Sequence, residues 1–388
     1  MPEAVIVDAV RTPVGRAFKG SLASLRPDET TAFIIDQLLE RNPGVDPSSV
    51  EEVIAGCGLP QGLQANNIGR MAVLLSDKLG QNTTGSTVSR YCAAGLDAIR
   101  NAANAVVAGQ GDVYIAAGVE FVSRYNAAQE AAHPEDQNEN LQGKEPGQPN
   151  AYIAMGLTAE NVAAKYGVSR ADQDAYAQRS QERAVAAQVS GVFEREIIPV
   201  TLADGTVVSK DDGPRADSTV ERLGSLKPAF KEDGTVTAGN SCPLNDGAAA
   251  ALIMSADRAK ELGLKPRARI ITAATWGNEP EYMGVAPIGA IKKALERAGM
   301  SISDVDIVEL NEAFAAQVLP IASECGIDLD DLNPHGGAIA LGHPFGMTGV
   351  RIMTTLLNDL ETLDKSIGIE TMCVAQGQGE AMIIERLK

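Results

Sequence analysis

"CAAGLDAIRNAANAVVAG", residues 92–109, decides the fold, because its pattern returns 251 residues later as "HPFGMTGVRIMTTLLNDL", residues 343–360. In the first copy Leu96, Ile99, Ala103 and Val106 follow the 3-4-3 step of one helix face. Met347, Val350, Thr354 and Leu357 hold the same spacing in the second, with Thr354 the polar exception. Superposing the copies sets Cys92 on His343, so each begins a helix on an equivalent element of two halves. Halves related by a pseudo-twofold axis and facing one another bring those two helix starts together.

The flanks repeat in the same way. "AVIVDAV" (4–10) predicts a strand, "ETTAFIIDQLLERN" (29–42) an amphipathic helix, and "SSVEEVIAGCG" (48–58) an alternating strand. "ARIITAAT" (268–275), "PIGAIKKALERAG" (287–299) and "SDVDIVELNEA" (303–313) repeat that strand-helix-strand order. In the second half "GIETMCVA" (368–375) leads through a short turn straight into "GEAMIIE" (379–385). In the first, "DVYIAAG" (112–118) and "GAAAALIMS" (247–255) play these parts, but a long segment separates them. The segment holds the polar stretch "HPEDQNENLQGKEPGQPN" (133–150) and the helix-like "TAENVAAKYG" (158–167) and "ADQDAYAQRSQERAVAAQ" (171–188). The expected organisation is a first half from 1–118 and 245–265, an inserted loop domain from 119–244 acting as a lid, and a second half from 266–388. Alternating strands and helices predict an α/β fold of mixed, largely parallel sheets covered by helices.

Composition narrows the function. With 44% hydrophobic and 22% charged residues, the 388-residue chain has the make-up of a soluble globular protein. No apolar run approaches the roughly 20 residues that span a bilayer, and "MPEAVIVDAVRTP" reads as a strand, not a signal peptide. A net charge of −18 argues against nucleic acid and anionic membranes as main partners. An anionic ligand would need a local basic patch. Five widely spaced cysteines without a CxxC pair argue against a disulfide framework or zinc site and fit a reduced, cytoplasmic setting. Histidine chemistry must come from His133, His335 or His343.

Four places carry candidate chemistry. Cys92 follows polar "TVSRY" and precedes small "AAG"; a helix N-terminus there is expected to lower its thiol pKa. His343 sits between Gly342 and Pro344 in "NPHGGAIALGHPFGMTG" (333–349), a loop whose glycines let backbone approach a ligand. At the helix start facing Cys92 it is expected to act as a base or donor, whereas His335 is read as structural. Cys373 ends a strand-like run before the Gly-rich "AQGQG" (375–379), where a proton-transfer role fits. Asn311, in "VELNEAFAAQ" (308–317), is either a helix cap or an amide that holds a water at an oxyanion site.

These segments together resemble the thiolase family of acetyl-CoA acyltransferases and acetyltransferases. The resemblance runs over essentially the whole chain, through "RYCAAGLDAI", "GVEFVS", "MGLTAENVA", "GTVTAGNSCPLNDGAAA", "ELNEAFAAQ", "GGAIALGHPFGMTGVR" and "CVAQGQGEA", in that order. It implies the thiolase fold: two βαβαβαββ halves in a five-layer αβαβα arrangement, with a loop domain inserted in the first. It implies that Cys92 is the acyl-accepting nucleophile, that His343 activates it and helps hold the thioester oxygen, and that Cys373 is the acid/base. Asn311 would position an oxyanion-hole water, and the backbone N–H groups of Cys92 and Ala375 a second oxyanion hole. A thiolate suits thioester chemistry, being a soft nucleophile and a good leaving group, and each oxyanion donor contributes about 3 kcal/mol. Coenzyme A is then a substrate, and no metal or other cofactor is called for. Arg215, in "DDGPRADSTVERLGSLKPAF" (211–230), matches a basic residue near the CoA phosphates. Met155, Phe230, Cys242 and Phe314 match pantetheine-lining positions, against the alternative that they are core.

The chain departs from the family pattern at four positions. Ala154 and Cys242 stand where short-chain acetoacetyl-CoA thiolases usually carry histidine and serine. Ala375 replaces a usual glycine, and Gln376 is unusual. The reading is a 3-ketoacyl-CoA thiolase of fatty acid β-oxidation type, a homodimer or homotetramer acting on acyl-CoA and CoA. An acetoacetyl-CoA thiolase, a plain thioester hydrolase and a thiolase-like protein that binds acyl-CoA without turnover remain alternatives. A ketoacyl synthase would use two histidines, and Cys373 stands in place of one.

Overall fold

The computed structural model describes residues 2–125 and 134–388, which leaves His133 outside the described residues. The first half contributes strands β1 (Ala4–Arg11), β2 (Glu52–Cys57), β3 (Thr84–Val88), β4 (Val113–Phe121) and β5 (Asn245–Ser255). The second contributes β6 (Ala268–Gly277), β7 (Ile307–Leu310), β8 (Ile367–Val374) and β9 (Gln378–Arg386). The main helices are α1 (Pro27–Arg41), α2 (Ile68–Leu75), α3 (Ala94–Val107), α4 (Met155–Tyr166), α5 (Arg170–Ser190), α6 (Ala286–Ala298), α7 (Ala315–Cys325) and α8 (Phe345–Thr362).

The strands run β7-β8-β9-β6-β1-β5-β4-β2-β3. The two halves meet where β1 and β6 pair antiparallel through Val5–Arg269 and Ile6–Ala268. Read outward from that junction, both halves give one pattern. An antiparallel neighbour (β5 or β9) comes first, then a second antiparallel pairing (β4 or β8), then a parallel strand (β2 or β7). In the first half β3 adds a further parallel strand, and a single parallel bridge, Val308–Leu332, takes its place in the second.

Side-chain alternation builds the layers. Along β5, Ala249, Ala251 and Ile253 join a central cluster, while Ala248, Ala250, Leu252 and Met254 face an outer one. Along β9, Met382 and Ile384 join the same central cluster, and Ala381 and Ile383 face the other outer one. The central cluster holds Leu96, Ile99 and Val106 of α3 with Met347, Val350 and Leu357 of α8. The repeated helices are therefore the shared middle layer, with α1 and α2 covering one outer face and α6 and α7 the other. The arrangement is the αβαβα fold expected from the resemblance. Thr354 is accommodated there by donating its hydroxyl to Val350 O at 2.7 Å. Glycines let α3 and α8 touch: a Cβ on Gly95 would lie 2.6 Å from Gly346 O, and one on Gly349 2.2 Å from Leu96 N. β2 is buried on both faces from Val53 to Cys57 and does not alternate as expected, because helices cover both sides of a parallel strand.

Among the described residues between β4 and β5 are α4 and α5. Ser169 and Asp172 make a reciprocal cap at the start of α5. Tyr176 and Ser180 of α5 donate to the buried Glu312 carboxylate at 2.8 and 2.6 Å, which ties this segment to the second half. The matching connection in the second half, from β8 to β9, is the three-residue turn 375–377.

Candidate active site

Cys92 does not stand in the first turn of α3. It lies in a single 3₁₀ turn, Tyr91–Ala93, that precedes the helix and packs on α8. Tyr91 holds a left-handed φ of 44°, a strained conformation for a residue with a side chain, of the kind that aims a neighbour. The expected lowering of the thiol pKa is overturned in the free chain. Burial pushes it well above the ordinary cysteine value, and the thiols of Cys373 and Cys242 and the Glu120 carboxylate push the same way. One group opposes them: the Ala375 backbone N–H, which faces the Cys92 sulfur and favours its thiolate. The turn 375–377 is thereby set against the nucleophile candidate. Thiolate formation at Cys92 thus needs a base to take the proton, since the helix end alone does not offset desolvation.

His343 is the candidate for that base. Its ring is 1% exposed, and burial, with Arg351 as a second cause, holds its pKa down at about 3, so the imidazole is neutral. Nδ1 lies 2.7 Å from Thr348 Oγ1. The Thr348 hydroxyl spends its own proton on Pro344 O at 2.8 Å, so Nδ1 is the donor and Nε2 carries the lone pair. Asn311 Nδ2 donates to that Nε2 at 3.3 Å, while Asn311 Oδ1 is buried without a protein partner. Nε2 can take up a proton when Asn311 Nδ2 gives up that bond, and can then donate it as an imidazolium. The arrangement leaves an amide oxygen ready for a water's hydrogen. His343 N–H donates to Asn245 Oδ1 at 2.9 Å, which pins the loop ahead of α8.

Cys373, at the end of β8, is fully buried, and burial pushes its thiol up to about 11. Gln317 Nε2 donates to its sulfur at 2.9 Å. Cys92, Met155, Phe345, Ala375 and Gln376 line one cleft of about 440 Å³ together with Leu59, Tyr91, Tyr125, Gln137 and Tyr152. Gln376 sits at a left-handed φ of 65° and donates from Nε2 to the Tyr91 hydroxyl at 3.0 Å.

The remaining candidates gather around a second cavity and the apolar cluster beside it. Arg215, Phe230 and Cys242 line a second cavity of about 430 Å³, with Arg16 and Arg222. Burial lowers the Arg215 pKa, and the neighbouring Arg16 lowers it further, the signature of like charges gathered together. This is a local basic patch on a chain of net charge −18. Phe230 meets Phe314 edge-on at 6.1 Å, and Phe314, Met155 and Cys242 pack in one apolar cluster with Cys373. Each cavity thus has a wall residue, Cys242 or Met155, in the apolar cluster that holds Cys373. His335 is not part of the site: its Nδ1 lies 2.5 Å from Asp359 Oδ1. Among the described residues no group of three His, Cys, Asp or Glu is arranged to hold a metal, and no helix is long and apolar enough to cross a membrane.

Sequence reasoning missed the residues that hold this site together. Glu120, fully buried at the end of β4, accepts from Gly58 N at 2.8 Å, Gly346 N at 2.9 Å and Gln64, joining the loops beside Cys92 and His343. Burial still pushes its pKa up to about 7. The signal was present, since Glu120 is a lone charge in the apolar run "VYIAAGVEFV". Thr348 and Gln317 gave no comparable signal.

Comparisons with known proteins show the family and the fold. A family model described as thiolase, N-terminal domain, matches residues 4–257, and one described as thiolase, C-terminal domain, matches 264–386. The chain is 44% identical over 402 residues to the beta-ketoadipyl-CoA thiolase of Pseudomonas putida, covering 100% of both. It is 41% identical over 397 residues to the 3-ketoacyl-CoA thiolase of Bacillus subtilis, covering 99% of this chain and 100% of that one. The crystal structure of the Bacillus anthracis acetyl-CoA acetyltransferase superposes with a TM-score of 0.92 at 39% identity, covering 100% of this chain and 99% of that one. The dimeric peroxisomal thiolase of Saccharomyces cerevisiae also gives 0.92 at 39% identity, covering 100% and 98%. With both halves matched end to end, the chain belongs to the thiolase family of acyltransferases.

Proposed function

We propose that the chain is a 3-ketoacyl-CoA thiolase, in which Cys92 carries the acyl group between CoA and acetyl-CoA. The observation that carries this reading is the Ala375 N–H facing the Cys92 sulfur on the wall of a cleft, with the Cys373 thiol near enough to act on it. In the cleavage direction His343 Nε2 takes the Cys92 proton and the sulfur attacks the 3-keto carbonyl. The carbon–carbon bond breaks, its electrons pass to an acetyl-CoA enolate, and Cys373 S–H protonates the enolate carbon. CoA then attacks the acyl-enzyme, giving its thiol proton to the Cys373 thiolate, and Cys92 leaves. The Cys92 and Ala375 N–H groups would hold one oxyanion, and His343 with a water on Asn311 the other. No further cofactor enters these steps. Arg215, with Arg16 and Arg222 beside it, is our candidate for the CoA phosphates, and Met155, Phe230, Cys242 and Phe314 for the pantetheine arm.

The acyl substrate has two readings. Straight-chain 3-ketoacyl-CoA, as in fatty acid β-oxidation, fits the apolar part of the cleft, Leu59, Met155 and Phe345. A 3-ketoacyl chain that ends in a carboxylate fits its polar part, where Gln376 and Tyr91 are already paired, and relatives named for beta-ketoadipyl-CoA support it. Loss of 3-ketoacyl-CoA on adding CoA, followed over short, medium and long chains and 3-oxoadipyl-CoA, separates them. Turnover that needs both CoA and Cys92 supports the proposal; CoA release without added CoA would make the protein a hydrolase.

We also infer a homodimer or homotetramer in the cytoplasm. β3 is an edge strand without charge or proline, and α2 beside it exposes Met71, Leu74 and Leu75. The division into 1–118 with 245–265, 119–244 and 266–388 is kept as a proposal. The return of the chain to the first sheet at Asn245 supports it.

A further inference from the structure

Cys373 poses a problem that the apolar cluster around it does not solve. It must exist as thiol and as thiolate in turn, yet its sulfur is fully buried among Ala159, Met283, Ala313, Phe314 and Ala316. A bare thiolate there is strongly disfavoured. The polar side chain that reaches the sulfur is Gln317, from the first turn of α7, with Nε2 at 2.9 Å. Gln317 is itself fully buried, and its Oε1 has no hydrogen-bond partner. That oxygen faces the backbone of Gly284, where a Cβ would come within 2.6 Å of it. A buried amide with one end engaged and the other idle is unusual in a packed interior.

Thiol chemistry explains the idle end. A thiolate needs a donor, which Nε2 provides; a thiol needs an acceptor for its S–H, which Nε2 cannot be. Turning the amide over about its last torsion, a soft two-fold rotation, exchanges oxygen and nitrogen within the same volume. We infer that Gln317 is the positioning residue of Cys373: its amide N–H holds the thiolate and, turned over, its amide oxygen holds the thiol. The inference rests on the reading of Cys373 as the acid/base. When acetyl-CoA is deprotonated, its methyl C–H bond breaks, the electron pair enters the enolate, and the proton binds Sγ as the amide turns. The titratable groups facing Cys373 are the thiols of Cys92 and Cys242, and Glu312 reaches Cys242 in turn. None of these supplies a hydrogen-bond donor to the sulfur when deprotonated.

The test is exchange of the acetyl-CoA methyl protons with heavy water, read by NMR as a function of pH, for the wild-type chain, Gln317→Leu, Gln317→Glu and Cys373→Ala. Gln317→Leu should move the alkaline midpoint up by about one unit and slow exchange about tenfold below it. Gln317→Glu, which places a carboxylate on the thiolate, should move it further, and it keeps the test alive if the leucine variant does not fold. Acylation of Cys92 by acetyl-CoA, read by intact mass, should fall less than exchange in both. Midpoints unchanged in both Gln317 variants, with exchange lost in Cys373→Ala, would overturn the inference while leaving the acid/base reading intact. Exchange that survives Cys373→Ala would overturn both.

Discussion

The two halves share one strand order and one central helix each, yet their helix starts differ. In the first, Cys92 sits in a 3₁₀ turn on the wall of a cleft, beside a residue strained at φ 44°. In the second, His343 sits two residues ahead of α8, wholly buried, with its ring fixed through Thr348 and Asn311. The connections differ in the same sense. A three-residue turn places the Ala375 N–H against Cys92 in one half, while the other half opens into the long segment that carries Met155, Arg215 and Phe230. The duplicated frame brings two equivalent points together, and the departures from duplication equip them. One point becomes a thiol on a cleft wall, the other a buried imidazole locked in orientation, which we propose as nucleophile and base.

Breaking the comparison at its reactive point should have the largest effect. Cys92→Ala should lower kcat for thiolysis by about 10⁴-fold or more and abolish acyl-enzyme formation, measured by steady-state kinetics and intact mass. Next comes the base: His343→Asn should cost about 10² to 10⁴ in kcat/KM. It should also remove a pH dependence of stability. The buried ring titrates at about 3 and the unfolded one near 6.5, so the unfolded chain takes the proton first and wild-type stability falls as pH drops through that window. Urea unfolding at pH 7 and pH 4.5 should show a smaller acid loss in His343→Asn than in the wild-type chain. Asn311→Ala should cost about 10²-fold in kcat with less change in KM, if its free Oδ1 holds a catalytic water. At the frame, Gly349→Ala should lower stability by about 1–3 kcal/mol by forcing α3 and α8 apart, seen as a lower thermal midpoint. The smallest effect sharpens the asymmetry: Arg215→Gln should raise KM for CoA several-fold, an effect that added salt reduces, and leave kcat nearly unchanged.

Much of the frame was legible because it rests on apolar spacing. Leu96 and Met347, Ile99 and Val350, Val106 and Leu357 are all core residues of the middle layer, and a 3-4-3 step is visible in one chain without coordinates. The β2 segment was misread in its pattern because glutamates at its start imitate alternation, whereas two covering helices bury the strand on both sides. At the site, the residue types of Cys92, His343, Cys373 and Asn311 were conspicuous. Their electrostatics were not: the helix end predicted an acidified Cys92, and desolvation by packing from both halves reversed that. Gln317 and Glu120 act through hydrogen bonds to segments far off in sequence, and no local pattern encodes such a pairing.

The most direct test of the central claim mixes the protein with a 3-ketoacyl-CoA in the absence of CoA and maps the adduct by peptide mass spectrometry. The predicted result is an acyl group two carbons shorter than the substrate on Cys92, with one equivalent of acetyl-CoA released. An unmodified Cys92, or one carrying the full-length 3-ketoacyl group, would contradict it.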